Sequence, residues 1–221
     1  MRTIRVTGKG TLKIHPDMTR ITITLTKVYK EYSETLTHSS EDTEALKDLL
    51  EGFDLKRTDL KTISFNIDTE YESYMEGNEY RQRLAGYRYR HTMKIEFDTD
   101  NDRLGKILYA LAQSDTEPEF NISYTVRDQE AAKNEMLGKA VSDAKEKAVI
   151  LTKAAGLTLK DIQTVDYSWG DIVMETRPTA RMMASNKMDM EEADAAYGLS
   201  MDIEPDDITV SDSVTVIWEI G

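Results

Sequence analysis

The residues that could bind a metal ion or catalyse a reaction are few and widely spaced in this chain. Its 221 residues include His15, His38 and His91 and no cysteine. The lack of cysteine excludes disulfides and thiolate chemistry, so a zinc site would depend on histidine and carboxylate ligands. None of the histidines has a second histidine at ligand spacing. The sequence therefore predicts no metal site, no cofactor site and no catalytic residue.

Each histidine is better explained by a structural role than by a catalytic one. His91 falls on the apolar face of a predicted strand. It could be a ligand or a base, but we expect a core or interface histidine that is satisfied by a neighbour. His15 precedes Pro16-Asp17, which is typical of a turn because proline fixes φ and aspartate bonds to local backbone. His38 lies in the Ser/Thr-rich beginning of a predicted helix and is expected to be exposed.

Two short motifs resemble ligand-binding loops without matching them. The stretch DTDNDR, residues 98 to 103, begins like a calcium loop, but its sixth position is Arg103 and its twelfth is Tyr109, where such a loop has glycine and glutamate. We expect a strand end followed by a helix N-cap, where the helix dipole favours acids. Gly8-Lys9-Gly10 is only a GxG, for which a tight turn or bulge between two short strands is predicted.

Methionine is concentrated in one polar region. Of the 11 methionines, six lie between residues 174 and 201: Met174, Met182, Met183, Met188, Met190 and Met201. Residues 177–207 lack periodicity and are predicted to form a long acidic surface loop. Its thioethers could ligate Cu(I) or be oxidised sacrificially. The interpretation that we favour is that they dock the loop on its own domain or on a neighbouring subunit.

The charge of the chain argues against several classes of partner. Lys and Arg number 28 against 41 Asp and Glu, which gives a net charge of −13. Such a surface repels phosphate backbones and anionic lipids, so no nucleic-acid partner is expected. No stretch approaches ~18 apolar residues, so no membrane insertion is expected. The opening MRTIRVTGKG lacks the apolar region of a signal peptide, and we expect a cytoplasmic protein if Met1 is the native start.

Alternating apolar residues predict a long antiparallel hairpin joined by a polar turn at Gly77 and Asn78. The apolar faces of its strands are Ile63, Phe65, Ile67 and Tyr71 on one, and Ala85, Tyr87, Tyr89, Met93, Ile95 and Phe97 on the other. The outer faces carry complementary charges: Asp68, Glu70 and Glu72 opposite Arg88, Arg90 and Lys94. Cross-strand pairs of this kind help to fix the register.

Periodicity of 3.6 residues predicts three helices, at about residues 32–52, 100–114 and 128–155. Their predicted apolar faces are Leu36, Thr43, Leu46, Leu50 and Phe53; Leu104, Ile107, Leu108 and Leu111; and Leu137, Val141, Ala144, Ala148, Leu151 and Ala155. The third face is a narrow stripe of small residues, which should let the helix lie close against a sheet. Gly156 is its predicted C-terminal stop.

A repeated pattern organises these elements. Gly52-Phe53 is followed by Leu60-Lys61-Thr62 and a strand, and Gly156-Leu157 is followed by Ile162-Gln163-Thr164 and a strand. We predict one domain of two β-α-β units, about 1–97 and 98–221, joined by the hairpin and the second helix. A last strand places Ile208, Val210, Val214, Val216, Trp218 and Ile220 on one face. Because strands and helices mix without strict alternation, the predicted class is α+β, with helices packed on antiparallel sheet.

Four stretches together resemble the SIMPL-domain family. They are VTGKGTLKIHPDMTRITITL, DLKTISFNIDTEY, GYRYRHTMKIEFDTDNDRLGKILYAL and AVSDAKEKAVILTKAAGLTLKDIQTV, in the family's order and over nearly the whole chain. The family includes bacterial periplasmic immunogenic and oxidative-stress defence proteins, many with an export signal that this sequence lacks. The stretch SDTEPEFNISYTV also lacks the glycines expected there. The resemblance implies an α+β fold of two repeats and, in some members, ring- or channel-like oligomers, but no established catalytic residues.

The function predicted from the sequence is a non-enzymatic protein that forms homo-oligomers, with a stress- or envelope-related role. The hairpin suggests this, because strands of ~13 residues span ~40 Å and could grip a neighbouring copy. The alternative is an enzyme or small-ligand binder with its site between the two repeats. Tyr167, Trp169 and Trp218 could line such a site, although core aromatics are the expected explanation. The other alternative is oxidant scavenging or Cu(I) binding by the Met-rich loop.

Overall fold

The computed structural model describes residues 2–77, 79–167, 172–177 and 203–221. The strands are β1 (Arg2–Ile14), β2 (Met18–Tyr29), β3 (Lys61–Glu76), β4 (Glu79–Asp98), β5 (Glu119–Thr125), β6 (Leu159–Asp166), β7 (Glu175–Thr176) and β8 (Ile208–Ile220). The helices are α1 (Tyr32–Glu51), α2 (Asn101–Ala112) and α3 (Gln129–Ala154), with a short 3-10 turn at Arg57–Asp59. Helices pack on antiparallel sheet, so the predicted α+β class is confirmed.

The described residues form two compact units that interleave along the chain. The first unit contains residues 2–17, 125–167, 172–176 and 205–221, and the second contains residues 18–77, 79–124, 177 and 203–204. The predicted repeat boundaries, about 1–97 and 98–221, stay a prediction. Among the described residues, no helix has the length and apolar character needed to cross a membrane.

The second unit is a sheet with strand order β3-β4-β2-β5, covered on one face by α1 and α2. Its core contains Ile21, Ile23, Leu25, Leu46, Leu50, Tyr89, Met93, Ile95, Phe97, Leu104, Ile107, Leu108 and Leu111. The predicted apolar face of α2 is therefore confirmed, and so is that of β4 from Tyr89 to Phe97. Tyr87 is only half-buried, and Ala85 falls in a register shift of the hairpin instead of on this face. Asp100 caps α2 by accepting a hydrogen bond from the backbone N–H of Arg103 (3.0 Å). The calcium-like motif is thus a helix N-cap, as expected.

The predicted apolar face of α1 is wrong in its first turns. Leu36 is 43% exposed, whereas Thr35 and Ser39 are buried. Burial of these hydroxyls costs little because each donates to a helix carbonyl: Thr35 to Glu31 (2.9 Å) and Ser39 to Leu36 (2.8 Å). Because of these hydrogen bonds, a helix face with two hydroxyl side chains can be buried. The spacing of apolar residues in the sequence does not reveal such a face.

The antiparallel β3–β4 hairpin is confirmed, but the predicted apolar face of β3 is largely uncovered. Ile63, Phe65 and Tyr71 are 54%, 41% and 57% exposed, and Ile67 is half-buried against the core. The reason is position, because β3 lies at the edge of its sheet. Ile63 also falls in a register shift between Thr62 and Ser64. On the other face, Arg88 lies opposite Asp68 and forms an ion pair with Glu70, as predicted. Arg90 and Lys94 lie opposite Asn66 and Lys61 instead of acids, so that part of the prediction is wrong.

The first unit is a sheet with strand order β1-β8-β6, and α3 packs on one face of it. The predicted inner face of β8 is confirmed, with one residue, Ile220, only half-buried. Its fully buried members are Ile208, Val210, Val214, Val216 and Trp218. Gly156 follows α3 with φ +69°, which is the left-handed conformation expected of a C-terminal stop.

The buried face of α3 differs from the predicted stripe. Leu151 is 51% exposed and Ala155 is exposed, while Leu137 and Val141 are half-buried. The fully buried residues follow a strict spacing of four: Ala132, Met136, Ala140, Ala144, Ala148 and Thr152. Rows of residues four apart form one of the natural ridges of a helix, inclined to its axis. The helix therefore presents this ridge to the sheet.

Gly8 and Gly10 explain why the ridge is made of small residues. They lie inside β1, so the predicted turn or bulge is wrong. A Cβ on Gly8 would lie 2.0 Å from the carbonyl oxygen of Ala140, and one on Gly10 would lie 2.0 Å from that of Met136. Two strand residues span ~6.7 Å and four helical residues ~6 Å, so the two spacings match. The backbone of α3 therefore packs directly against each glycine.

The outer edge of β1 is closed by the same helix. The backbone N–H of Lys9 donates to Asp143 Oδ2 (2.7 Å), and Lys147 Nζ donates to the same oxygen (2.7 Å). These hydrogen bonds, that of Lys147 first, lower the pKa of Asp143. An edge amide bound by a side chain cannot pair with another strand, so Asp143 protects this part of the edge.

The packing at Gly8 predicts a clear mutational contrast. Gly8→Ala should lower the free energy of unfolding by about 1–3 kcal/mol, because a methyl group must displace helix backbone. Gly138→Ala is the matched control, since Gly138 lies in α3 with no atom within 4 Å of its added Cβ. It should raise stability by about 0.5–1 kcal/mol through helix propensity. Urea unfolding of both variants gives the comparison, and a Gly8→Ala protein as stable as wild type would contradict the packing.

Candidate functional site

His15 and His38 each contact a different acidic residue, Asp207 and Glu41. His15 follows β1 in the predicted turn, with its Nδ1 3.1 Å from Asp207 Oδ1. His38 is only partly exposed, because its ring stacks on Tyr29 at 4.4 Å and its Nδ1 lies 2.9 Å from Glu41. Within the described ranges, no group of three or more histidine and acidic side chains could hold a metal ion.

His91 is the buried histidine, and its hydrogen bonds fix its tautomer. Thr43 Oγ1 donates to the Ser39 carbonyl (2.7 Å), so it must accept from His91 Nδ1–H (3.0 Å). His91 Nε2 then accepts from the hydroxyl of Thr62 (2.9 Å). Burial, and secondly the charge of Lys47, lower the pKa of His91. It is a satisfied core histidine that ties α1 to β3, as expected from the sequence.

A second buried polar contact lies two residues along β4. The hydroxyl of Tyr89, which is fully buried, donates to Asp42 on α1, and Lys27 Nζ binds the other oxygen of that carboxylate (2.9 Å). Burial and the hydrogen bond to Asp42 raise the pKa of Tyr89. A phenol held protonated and bonded inside the core is neither a nucleophile nor a base. Both contacts therefore attach α1 to the sheet and offer no reactive group.

Trp218 and Tyr167 are core aromatics of the first unit, the explanation expected for them from the sequence. Trp218 is 2% exposed in the core beneath α3, and Tyr167 packs against the same cluster. Trp169 lies outside the described residues. Met174, which precedes the predicted loop, is buried in the first unit. The methionines of the loop itself, Met182, Met183, Met188, Met190 and Met201, lie outside the described residues.

The strongest surface feature is the far end of the β3–β4 hairpin. Strand β2 ends at Tyr29, which lies opposite Tyr87 of β4. Beyond that point residues 70–76 of β3 and 79–86 of β4 pair with each other. We call these residues the arm. At its base Gly86 has φ +154°, and a Cβ there would lie 2.2 Å from the carbonyl oxygen of Tyr29. Glycine therefore lets β2 end directly against the arm.

The two faces of the arm differ sharply. One face carries the cross-strand pairs Tyr71–Leu84, Ser73–Gln82 and Met75–Tyr80. The opposite face carries Glu72, Tyr74, Glu76, Glu79, Arg81 and Arg83. On the charged face, Arg83 pairs with Glu72 (2.5 Å) and Arg81 with Glu76 (2.6 Å). The acids and arginines thus neutralise one another locally, and the first face has no charge at all.

The apolar face of the arm is open to solvent. Its exposed side chains are Tyr71 at 57%, Met75 at 61%, Tyr80 at 81% and Leu84 at 49%. Tyr32 and Leu36, at the start of α1, are also 50% and 43% exposed. Tyr32 contacts the ring of Tyr87 edge-on at 5.5 Å, next to the base of the arm. The exposed apolar surface therefore extends along the arm from the body of the second unit.

The sequence prediction missed this face because it treated residues 75–82 as a polar turn. Alternation in fact continues through Tyr71, Ser73 and Met75, and returns through Tyr80, Gln82 and Leu84. A signal was present, but alternation cannot distinguish a face covered by helices from a face that extends past them.

Two clefts lie on the second unit. One of about 410 Å³ lies at the base of the arm, lined by Lys30, Glu72, Arg83, Leu84, Ala85 and Gly86. Another, of about 90 Å³, is lined by Asp59, Lys61, Lys94 and Glu96. Neither cleft is lined by His91 or Tyr89. Burial acts to raise the pKa of Glu96, in the smaller cleft, but hydrogen bonds from Arg20 and then Lys94 outweigh it and lower that pKa.

Comparisons with known proteins identify a family for this chain. A family model, SIMPL, described as a protein of unknown function (DUF541), matches residues 4–218. No curated protein matches the chain significantly. The solved structure of CutA from Synechococcus elongatus PCC7942 is similar at 11% identity, covering 58% of this chain and 96% of that chain, with a TM-score of 0.22. A TM-score this low carries no argument about fold or function.

The environment of His91 predicts how stability depends on pH. Its pKa is lowered in the folded protein relative to 6.5, so protonation favours the unfolded chain. The stabilising contribution of neutral His91 is complete above pH ~6.5 and is lost as pH falls below it. Urea unfolding at a series of pH values should therefore show a steeper loss in wild type than in His91→Gln. Equal slopes for the two proteins would show that His91 is not the cause.

Proposed function

This chain belongs to the SIMPL family, and we propose that it is a non-enzymatic, self-assembling protein whose arm docks on a second copy of the chain. The observation that carries the proposal is the uncharged, exposed face of the arm. A two-stranded ribbon is marginally stable by itself in water, and an apolar face gains free energy when it is covered. A second copy is the partner that is present wherever this chain is present.

The area of the arm indicates the strength of this assembly. A tyrosine side chain offers about 150–250 Å² for burial, so the exposed parts of the four apolar side chains amount to roughly 400–500 Å² per copy. Stable complexes bury about 800 Å² per partner. The arm thus supplies about half of a standard interface, and Tyr32 and Leu36 enlarge the apolar surface at its base. We expect association in the micromolar range.

Charge also favours the arm as the contact surface. A net charge of −13 makes copies of the chain repel each other. Contact through a charged surface of the same sign would increase that repulsion. The apolar face of the arm avoids this cost, and the charged face behind it is neutralised by its own Arg–Glu pairs.

The non-enzymatic part of the proposal is supported by the buried polar groups. His91, Tyr89 and Asp42 all have their hydrogen bonds satisfied within the core of the second unit. A stress- or envelope-related role is part of the proposal by family resemblance alone, and the cytoplasmic location stays a prediction. A ligand or catalytic site between the two predicted repeats remains the alternative.

The test is the molecular mass in solution of three proteins, measured by light scattering over a concentration series. Wild type should be a dimer or larger at tens of micromolar. The double variant Met75→Ser, Tyr80→Ser should raise the concentration at which half of the protein is associated by at least tenfold, because it removes apolar surface from the arm. The fold should be unaffected, since both side chains are exposed and neither contributes to the core. Ile150→Ser is the control, since Ile150 is 66% exposed on α3, away from the arm in sequence and in a different unit. A wild-type monomer at these concentrations would refute the proposal.

A further inference from the structure

The apolar face of the arm has a pattern that is nearly unchanged when the arm is turned end for end. An apolar pair, Tyr71–Leu84, lies at the base, and another, Met75–Tyr80, lies near the tip. A polar pair, Ser73–Gln82, lies midway between them. A surface with this apolar-polar-apolar order is complementary to a reversed copy of itself, which is the requirement for a two-fold interface.

We propose, building on the self-assembly proposed above, that the arms of two copies pack face to face and antiparallel about a two-fold axis at Ser73 and Gln82. Each strand of one arm then lies over the same strand of the other, in the opposite direction. Tyr71 faces Met75 of the partner subunit, and Leu84 faces Tyr80 of the partner subunit. Ser73 and Gln82 each face their own counterpart.

These contacts suit the side chains that make them. Sheets pack face to face at about 10 Å, a spacing that large apolar side chains fill. A thioether against an aromatic ring, as in the Tyr71–Met75 contact, is favourable. The longer polar side chain is not left unsatisfied, because a glutamine amide can donate to and accept from the identical amide of the other copy. The polar pair therefore also fixes the register of the two arms.

Charge selects the antiparallel arrangement over the parallel one. The tip carries Glu76 and Glu79, the latter with a side chain that is 77% exposed. With Arg81, which pairs with both acids, the tip has a net charge of −1 (two acids and one arginine). The base has the exposed Lys30 beside the Arg83–Glu72 pair, in the cleft of about 410 Å³, and a net charge of +1 (two cations and one acid). Tyr71 and Met75 are four residues apart, a distance of ~13 Å, so an antiparallel partner places its acidic tip at this basic base. A parallel partner would bring two acidic tips together.

Edge-to-edge pairing of β3 with a second β3 is disfavoured by the same reasoning. The outer face of this edge strand carries Asp68, Glu70 and Glu72 within five residues. In an antiparallel β3–β3 pair centred on this segment, those acids would lie opposite acids of the other copy, which destabilises a sheet. Packing through the apolar face keeps these carboxylates on the far side of each arm.

The chain has no cysteine, so single cysteines report the pairing directly. Ser73→Cys and, separately, Gln82→Cys should each give a covalent dimer with a short bismaleimide, in a yield that rises with protein concentration. Glu72→Cys is the matched control, because it lies next to Ser73 but on the opposite face, and it should give at least fivefold less dimer. Light scattering of each variant before cross-linking shows which proteins are assembled.

The outcomes separate the two proposals. Dimers from Ser73→Cys and Gln82→Cys, with little from Glu72→Cys, support the face-to-face pairing. Variants that are assembled by light scattering but cross-link no better at residues 73 and 82 than at residue 72 overturn the pairing and leave self-assembly standing. A wild-type chain that is monomeric throughout the concentration series overturns both.

Discussion

A mismatch in strand length is the constraint on which the second unit depends. Strand β4 has 20 residues, whereas its neighbour β2 has 12. The register places the shared part over α1 and α2, so the inward side chains of β4 become core up to Tyr89. The excess continues as a ribbon with β3 alone. There the apolar side chains of β3 keep their alternation, and those of β4 shift by one residue at the irregularity beside Gly86. No helix covers them, so alternating apolar residues produce both a core and an exposed apolar face.

Close packing in the first unit rests on a different match, between glycines two apart on β1 and small residues four apart on α3. It makes the helix a direct cover for the sheet, and Asp143 extends that cover to the strand edge. Such an edge is protected from pairing with other chains. In the second unit, by contrast, β3 is an edge strand and most of its residues are exposed. Strand β6, at the other edge of the first unit's sheet, is exposed in the same way, whereas the hairpin combines an exposed edge with the uncharged apolar face of the arm.

The sequence was sufficient for the class of fold, the three helices, the long hairpin and the cap at Asp100, since each depends on local patterns. It was insufficient where burial depends on a distant partner. The local sequence predicts a tight turn or bulge at Gly8 and Gly10, because nothing local shows that α3 lies against them. Apolar character predicts Leu151 in the core, but Thr152 is buried instead. The hydroxyl of Thr152 donates to the carbonyl of Ala148 in its own helix, so it can be buried at little cost. Tyr71 was assigned to a covered face because alternation does not reveal where the helices end.

The central claim is that assembly covers the apolar face of the arm. Hydroxyl-radical footprinting of wild type, diluted and concentrated, measures this directly at Tyr80, which is 81% exposed in the single chain. Tyr109, 49% exposed on α2 of the same unit, is an internal reference. The rate of modification of Tyr80 should fall several-fold as the protein associates, while that of Tyr109 stays constant. A Tyr80 that reacts equally fast in the assembled protein would contradict the account.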